Sequence, residues 1–259
     1  MNLIRRLWQK TLSVIGFGLC VAAAAAQQPV QTDLGPMPFL GQGSVVVFQG
    51  DSITDGGRQR TGNDFNHIMG QDYAYMLAGE LGAAFPERDI RFLNRGVSGD
   101  RVLDLEARWA ADTTALKPDV LSILVGINDT LATGARAETA EQFETGYDKL
   151  LADTLAALPG VKIVLGEPFL LPVGKHQQAY AAEMMELEKR QKIVARLAAK
   201  YHLPEVQYQA VMDKALQRAP AIHWSWDGVH PTYAGHWLLA QEWLRVTQLA
   251  WGAPAVVAR

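Results

Sequence analysis

The sequence predicts an α/β protein with a central, mostly parallel sheet whose two faces are both covered by helices. Short apolar runs of strand length recur along the chain, and longer segments with helical periodicity separate them. Parallel strands need a crossover connection of a dozen or more residues, which is usually a helix. The alternation of the two kinds of segment therefore favours a parallel sheet between two helical layers.

Four apolar runs predict strands, at residues 45–49, 90–93, 120–125 and 161–165. These runs are short and rich in Val, Ile and Leu, which is the composition of strands buried on both faces. A fifth strand is expected at residues 205–208. Together the five runs are enough for the central sheet.

Five longer segments have the periodicity of helices, at residues 72–84, 101–116, 138–158, 178–200 and 232–249. In the third, Phe143, Tyr147, Leu150 and Leu151 fall on one face at the spacing that a helix buries. Pro231 suits the first turn of the last helix, where a missing N–H is tolerated. These helices are expected to cover the sheet.

The N-terminus has the three parts of a secretory signal peptide, which we assign to residues 1–26. Arg5, Arg6 and Lys10 form a basic start, an apolar stretch follows, and small residues end it at an Ala-x-Ala site. The apolar stretch is shorter than a membrane span, so no stable membrane anchor is expected. The mature protein is expected in the periplasm or outside the cell, without Cys20, the sole cysteine of the sequence.

The remaining chain of about 230 residues is long enough for one α/β domain with a full core. We assign residues 27–43, which are rich in Pro and Gly, to an N-terminal linker, 44–250 to the domain and 251–259 to a C-terminal tail. The net charge is −3 and the basic residues are scattered, so nucleic acid is not an expected partner. The oligomeric state stays open, and a homo-oligomer is compatible with the sequence.

A serine follows the first predicted strand, in the tight turn Gly-Asp-Ser-Ile at residues 50–53. Such a turn can present backbone N–H groups at a helix N-terminus, where they suit an anion or an oxyanion. Ser52 can serve there as a nucleophile if a nearby base takes its proton. The alternative is that Asp51 or Ser52 only caps the next helix.

Two further turns follow the second and third predicted strands, Gly-Val-Ser-Gly at 96–99 and Gly-Ile-Asn-Asp at 126–129. Glycine permits close approach of the backbone to a ligand, but it also suits an ordinary strand-to-helix turn. Asn128 can point an amide donor at developing negative charge, or it can cap the next segment. Sites in open parallel sheets gather beyond the carboxyl ends of the strands, where all three turns fall.

A carboxylate and an imidazole lie three residues apart in Asp-Gly-Val-His-Pro at 227–231. Asp227 can orient the ring of His230 through one nitrogen and leave the other free to act as a base. The alternative is a surface histidine beside an aspartate that has no role. Trp224 and Trp226 are interpreted as packing residues, with stacking against a sugar ring as the alternative.

Taken together, four blocks of this sequence resemble the SGNH hydrolases, also called the GDSL family. The blocks are Gly-Asp-Ser-Ile at 50–53, Val-Ser-Gly-Asp at 97–100, Gly-Ile-Asn-Asp at 126–129 and Asp-Gly-Val-His-Pro at 227–231. They occur in the order and spacing of the family and cover nearly the whole mature chain. The intervening sequence, such as Gln-Asp-Tyr-Ala-Tyr at 71–75 and Lys-Pro-Asp at 117–119, is similar to that of bacterial acetylxylan esterases.

The resemblance implies a flavodoxin-like, three-layer α/β/α sandwich and a serine esterase that needs neither a metal nor an organic cofactor. It implies Ser52 as the nucleophile, His230 as general base and then acid, and Asp227 as the residue that orients His230. It also implies an oxyanion hole made by the backbone N–H groups of Ser52 and Gly99 and the side-chain amide of Asn128. The implied substrate is an acetylated carbohydrate, such as xylan or a xylo-oligosaccharide, or another small ester.

Three alternatives stay open from the sequence alone. The first is a lysophospholipase or thioesterase of the same fold. The second is a metallohydrolase with Asp227, His230 and either His223 or His236 as ligands. The third is a non-catalytic carbohydrate-binding protein that uses Trp224 as one of its stacking platforms, with Trp226. The stretch 56–70 is either a substrate-shaping loop or a plain connection.

Overall fold

Five parallel strands form the central sheet of the part of the chain that the computed structural model describes, residues 34–252. The strands are β1 (Val45–Gly50), β2 (Arg91–Asn94), β3 (Val120–Leu124), β4 (Lys162–Gly166) and β5 (Glu205–Val206). Their order across the sheet is β2-β1-β3-β4-β5, and every neighbouring pair is parallel. The predicted α/β sandwich with a parallel sheet is confirmed.

Helices connect the strands and cover both faces of the sheet. They are α1 (Ser52–Asp55), α2 (Tyr73–Ala84), α3 (Val102–Asp112), α4 (Ile127–Leu131), α5 (Ala140–Ala157), α6 (His176–Tyr201), α7 (Tyr208–Leu216), α8 (Ala221–Trp224) and α9 (Tyr233–Trp251). Short 3₁₀ turns occur at Pro86–Arg88, Thr114–Leu116 and Gly134–Arg136. Among residues 34–252, none of the helices combines the length and the hydropathy that a membrane span requires.

The two-residue period of the strands divides the core into two layers. Val46 and Phe48 of β1 face the layer of α2, α7 and α9, where Trp243 is fully buried. Val45 and Val47 face the layer of α3, α5 and α6, which includes Tyr147. Since each fully buried large apolar side chain contributes about 1.5–3 kcal/mol, both layers hold the sheet in place.

The predicted helix at 101–116 is wrong at its C-terminal end, because α3 stops at Asp112 and a 3₁₀ turn follows. Thr113 is fully buried, and its hydroxyl accepts a hydrogen bond from Gln49 Nε2 of β1 at 2.8 Å. Lys117 then adopts a left-handed conformation with φ of 50°. The tertiary contact to the sheet thus ends the helix earlier than its periodicity indicates.

The region after α6 also differs from its prediction. The strand expected at 205–208 is confirmed only at Glu205–Val206, and Tyr208 begins α7, which the sequence analysis did not identify. Tyr208, Met212 and Ala215 lie at helical spacing on the buried face of α7. A helix of nine residues offers few periodic positions, and so its pattern is weak.

The described part of the segment interpreted as a linker, residues 34–43, packs against the domain. Met37 and Leu40 are fully buried in the core, and Arg88 Nη1 donates to their carbonyl oxygens at 2.8 Å each. These buried residues show no periodicity in sequence, and therefore only the packing identifies them as core. The predicted signal peptide at 1–26 lies outside the described residues.

The strand order creates a crevice beyond the carboxyl ends of the strands. The chain passes from β1 to β2 on one side and then crosses over β1 to place β3 on its other side. Connections beyond the carboxyl ends of β1 and β3 therefore diverge, which is the topological switch point at which open α/β sheets bind ligands. The turns after β1, β2 and β3 all open onto this crevice.

Candidate active site

Ser52 lies at the N-terminus of α1, directly beyond β1. Asp51 is the N-cap of this helix, and its Oδ1 accepts a hydrogen bond from the N–H of Ile53 at 2.9 Å. Gly50 is required before it, since a Cβ at that position would collide with the carbonyl oxygen of Leu124 in β3. The sequence left two roles open for this turn, a helix cap and a nucleophile. Asp51 is the cap, and the Ser52 hydroxyl is free for another partner.

The structure brings Ser52 together with His230, 178 residues away in the sequence. Ser52 Oγ lies 2.8 Å from His230 Nε2, and His230 Nδ1 lies 2.7 Å from Asp227 Oδ2. A carboxylate on Nδ1 selects the tautomer that carries its proton there, which leaves Nε2 as an acceptor. Ser52 can therefore give its hydroxyl proton to the His230 imidazole, which Asp227 orients.

The loop between α8 and α9 holds Asp227 and His230 in this geometry. Asp227 Oδ1 accepts hydrogen bonds from the N–H groups of Val229 and His230, at 3.0 and 2.8 Å. Ser225 Oγ donates to the carbonyl oxygen of His230 at 2.8 Å and accepts from the N–H of Gly228 at 2.9 Å. Gly228 has φ of 102°, a conformation that glycine adopts without strain.

The same hydrogen bonds set the charge of Asp227. Burial raises the pKa of its carboxyl, but the hydrogen bonds from the His230 backbone, the His230 ring and Val229 outweigh burial, so the pKa lies below its usual range. Asp227 is consequently a carboxylate at neutral pH and can stabilise a protonated His230. Trp226 stacks on the His230 ring, with the centroids 5.4 Å apart and the planes at 15°.

Gly99 and Asn128 line a cavity together with Asp227 and His230. The cavity measures about 370 Å³, and its wall is completed by Arg101, Leu131, Ala132, Thr133, Arg136, Lys175, His176 and Val229. Asn128 Nδ2 donates one hydrogen to the carbonyl oxygen of Asp100 at 3.0 Å, and an amide carries a second hydrogen. Within the described residues, no acceptor engages the backbone N–H of Ser52 or Gly99.

Several residues of this cavity were not identified from the sequence. His176 is buried, and its Nδ1 lies 2.8 Å from Glu183 Oε2. These two residues are seven apart on α6, a spacing of two helical turns that is a usable signal for a pair on one face. Arg101 and Arg136 reach the cavity from separate segments, and nothing local in the sequence places them there.

The tryptophans and the additional histidines have different surroundings. Trp224 is buried and packs at the edge of the His223 ring, whereas Trp226 is 61% exposed. His236 is buried, which lowers its pKa to about 4. Among residues 34–252, no group of three or more His, Cys, Asp or Glu side chains is arranged to hold a metal ion.

Two buried carboxyls are sequence neighbours of the predicted site residues, Asp51 before Ser52 and Asp129 after Asn128. Burial raises the pKa of each to about 7, and the charge of Asp129 adds to the rise at Asp51. Asp129 Oδ1 accepts a hydrogen bond from the N–H of Val102 at 3.0 Å, so it ties α4 to the start of α3. Both carboxyls are therefore expected to be protonated and neutral below about pH 7.

Replacement of Asp129 by Asn is expected to weaken the pH dependence of stability between the usual aspartate value of 3.8 and about 7. In this range the folded protein keeps the proton of Asp129 and the unfolded chain has lost it, so the free energy of unfolding falls as the pH rises. Asparagine has no charge and keeps an oxygen for Val102. Urea unfolding at both ends of the range measures the change.

The matched control is Asp153→Asn on the exposed side of α5, where the carboxylate pairs with Lys149 at the surface. This variant should keep the wild-type pH profile. A profile for Asp129→Asn as steep as that of the wild type would contradict the prediction.

Comparisons with known proteins connect this geometry to a family. Residues 48–238 match the model of the GDSL-like lipase/acylhydrolase family. The chain is 33% identical over 219 residues to an acetylxylan esterase from Geobacillus stearothermophilus, covering 82% of this chain and 97% of that protein.

Solved structures show the same similarity. A crystal structure of the Geobacillus stearothermophilus acetylxylan esterase is 32% identical with a TM-score of 0.72, covering 85% of this chain and 99% of that one. An α/β hydrolase from the metagenome of Lake Arreo is 32% identical with a TM-score of 0.73, covering 83% of this chain and 99% of its own.

Proposed function

Because the chain belongs to the GDSL-like lipase/acylhydrolase family, we propose that it is an exported serine esterase that removes O-acetyl groups from a carbohydrate. The observation that carries the proposal is the hydrogen-bonded series from Ser52 Oγ through the His230 ring to Asp227. The signal-peptide pattern at residues 1–26 supports export to the periplasm or the medium.

The first half of the reaction forms an acetyl-enzyme. Ser52 Oγ attacks the acetyl carbonyl carbon while His230 Nε2 takes the hydroxyl proton. The carbonyl oxygen becomes an oxyanion, which the N–H groups of Ser52 and Gly99 and the free amide hydrogen of Asn128 can stabilise. The bond to the sugar oxygen then breaks, and His230 returns the proton to the leaving alcohol.

The second half releases acetate. Water attacks the acetyl-enzyme carbonyl as His230 Nε2 accepts one of its protons, and the same donors hold the second oxyanion. Collapse of this intermediate breaks the bond to Ser52 Oγ, which regains its proton from His230. Throughout, Asp227 keeps the imidazole oriented and stabilises its positive charge.

The cavity favours a sugar ester over a long-chain lipid. At about 370 Å³ it is at the small end of ligand-binding pockets, and the apolar part of its wall is Leu131, Ala132 and Val229. Lys175 and Thr133 instead supply donors that suit sugar hydroxyl groups. The similarity to an acetylxylan esterase points to acetylated xylan or its oligosaccharides as the first substrates to examine.

The experiment is acetate release from acetylated xylo-oligosaccharides by the purified mature protein, with short- and long-chain aryl esters beside it. Rapid deacetylation and a preference for short acyl chains would support the proposal. Cleavage of aryl esters alone would retain an esterase and reject the carbohydrate substrate. Faster cleavage of long-chain esters would instead indicate a lysophospholipase or thioesterase.

Replacement of Asn128 by Ala is expected to lower kcat for an aryl acetate by about 10²–10³, which is the usual cost of losing one oxyanion donor. The side chain is half-buried at the start of α4, so the fold should persist. Initial rates at saturating substrate measure the effect. Asn66→Ala in the exposed loop after α1 is the matched control, and equal turnover in both variants would reject the donor role.

A further inference from the structure

The turn that carries Gly99, residues 98–102, is held by hydrogen bonds rather than by packing around the glycine. Gly99 has φ of 86°, and the position of a Cβ there would meet nothing within 4 Å. Glycine has the greatest backbone freedom of any residue, so an unpacked glycine does not keep its peptide groups oriented without bonded neighbours. Its N–H can serve as an oxyanion donor only if those groups are fixed.

Separate side chains hold the peptide groups before and after the Ser98–Gly99 peptide, which carries the Gly99 N–H. On the N-terminal side, Asp55 Oδ2 accepts hydrogen bonds from the N–H and Oγ of Ser98, at 2.9 and 2.6 Å. On the C-terminal side, Arg136 Nη2 donates to the carbonyl oxygen of Gly99 at 3.0 Å. Asn128 and Asp129 bind later groups of the turn, the carbonyl of Asp100 and the N–H of Val102.

Arg136 is itself held at the rim of the cavity. Its Nη2 also lies 3.1 Å from Asp104 Oδ2, and its carbonyl oxygen accepts from Arg101 Nη1 at 2.6 Å. Arg101 in turn pairs with Asp104 at 2.9 Å and with the buried carboxylate of Glu138. The guanidinium of Arg136 is thus directed at the Gly99 carbonyl by an ion-pair network, although its side chain is 59% exposed.

We propose that Arg136 is a positioning residue for the esterase, acting through the Gly99 carbonyl to keep the Gly99 N–H directed at the oxyanion. This inference rests on the proposed function. Without Arg136, the Gly99 carbonyl has no other hydrogen-bond donor within the described residues. The peptide groups around Gly99 can then reorient, and the oxyanion loses part of one donor.

The expected result for Arg136→Ala is a fall in kcat of about tenfold on an aryl acetate, with KM within twofold of the wild type. The loss is smaller than the about 10²–10³ of deleting a donor, because the Gly99 N–H is still present. Arg136→Lys, whose ammonium can donate to the same carbonyl, should recover part of the rate. Because exposed ion pairs contribute little to folding, the thermal midpoint should stay close to that of the wild type.

A transition-state analogue separates positioning from a general effect on structure. Methylboronic acid forms a tetrahedral adduct with a nucleophilic serine, so its inhibition constant should rise in Arg136→Ala by about the same factor as kcat falls. The matched control is Arg196→Ala, whose side chain is 57% exposed and pairs with Glu144 at 2.8 Å between α5 and α6. This control should have wild-type kcat and inhibition.

Each other outcome overturns the inference. Equal rates for Arg136→Ala and Arg196→Ala would show that Arg136 has no role, and a raised KM with unchanged kcat would show direct binding of substrate. A lowered thermal midpoint with unchanged boronate inhibition would show a structural role only. If the wild type and Ser52→Ala hydrolyse the aryl acetate equally, the proposed function fails and this inference fails with it.

Discussion

Ser52→Ala is expected to lose about 10⁴–10⁶ of the wild-type kcat for both aryl acetate and acetylated xylo-oligosaccharide. Removal of the serine from a Ser-His-Asp triad lowers kcat by about 10⁶ in a well-studied protease. The alanine at position 52 has no atom that can form the acetyl-enzyme. The fold should be unaffected, because within residues 34–252 the Ser52 hydroxyl bonds only to the partly exposed His230 ring. Progress curves at high enzyme concentration measure the residual rate.

The matched control for this variant is Ser44→Ala, which removes a hydroxyl at the other end of β1, beside Val45. It should have the wild-type rate. A residual rate for Ser52→Ala within tenfold of the wild type would show that another group performs the attack, and the serine mechanism would have to be abandoned.

Asp227→Asn is expected to lower kcat by about 10⁴ without a change in fold. Its Oδ1 can still accept from the backbone N–H groups of Val229 and His230. The amide group then faces His230 Nδ1 and donates to it, so the ring proton moves to Nε2. His230 can no longer accept the Ser52 proton, and the same substitution in a protease triad has this magnitude.

A second aspartate-histidine pair supplies an unusually close control. Asp64 Oδ2 lies 2.6 Å from His67 Nδ1, and Asp64 Oδ1 accepts from the N–H groups of Asn66 and His67, as in the pair at 227 and 230. This pair lies at the surface, and within the described residues it forms no hydrogen bond with a serine. Asp64→Asn should keep full activity, whereas comparable losses in both variants would reject the tautomer explanation.

The sheet and most helices were predictable because their signals are local. Apolar runs predicted the bounds of β1 to β4 to within about two residues. The N-caps Asp72 and Thr139 precede α2 and α5, which begin near the predicted positions. The end of α3, the helix α7 and the buried residues before β1 were not predictable. The end of α3 and the burial before β1 depend on contacts with distant parts of the chain, such as Gln49 with Thr113, whereas α7 is too short for a clear helical period.

In the site, too, local signals were predictable and contacts between distant residues were not. The turn positions of Ser52, Gly99 and Asn128 followed from the ends of strands, and the roles assigned to them stay predictions. Arg136, by contrast, reaches Gly99 from 37 residues away, and the pair at 176 and 183 joins the cavity wall only through packing of α6.

The sequence by itself determined the local geometry of the aspartate-histidine unit, because an Asp-x-x-His turn closes through its own backbone and side-chain hydrogen bonds. In the described part of the chain it forms twice, at 64–67 and 227–230. Only the tertiary structure decided which copy meets a serine. The strand order places the turn beyond β1 at the switch point of the sheet, and the packing of α9 brings His230 to it across 178 residues, a distance over which no local pattern acts.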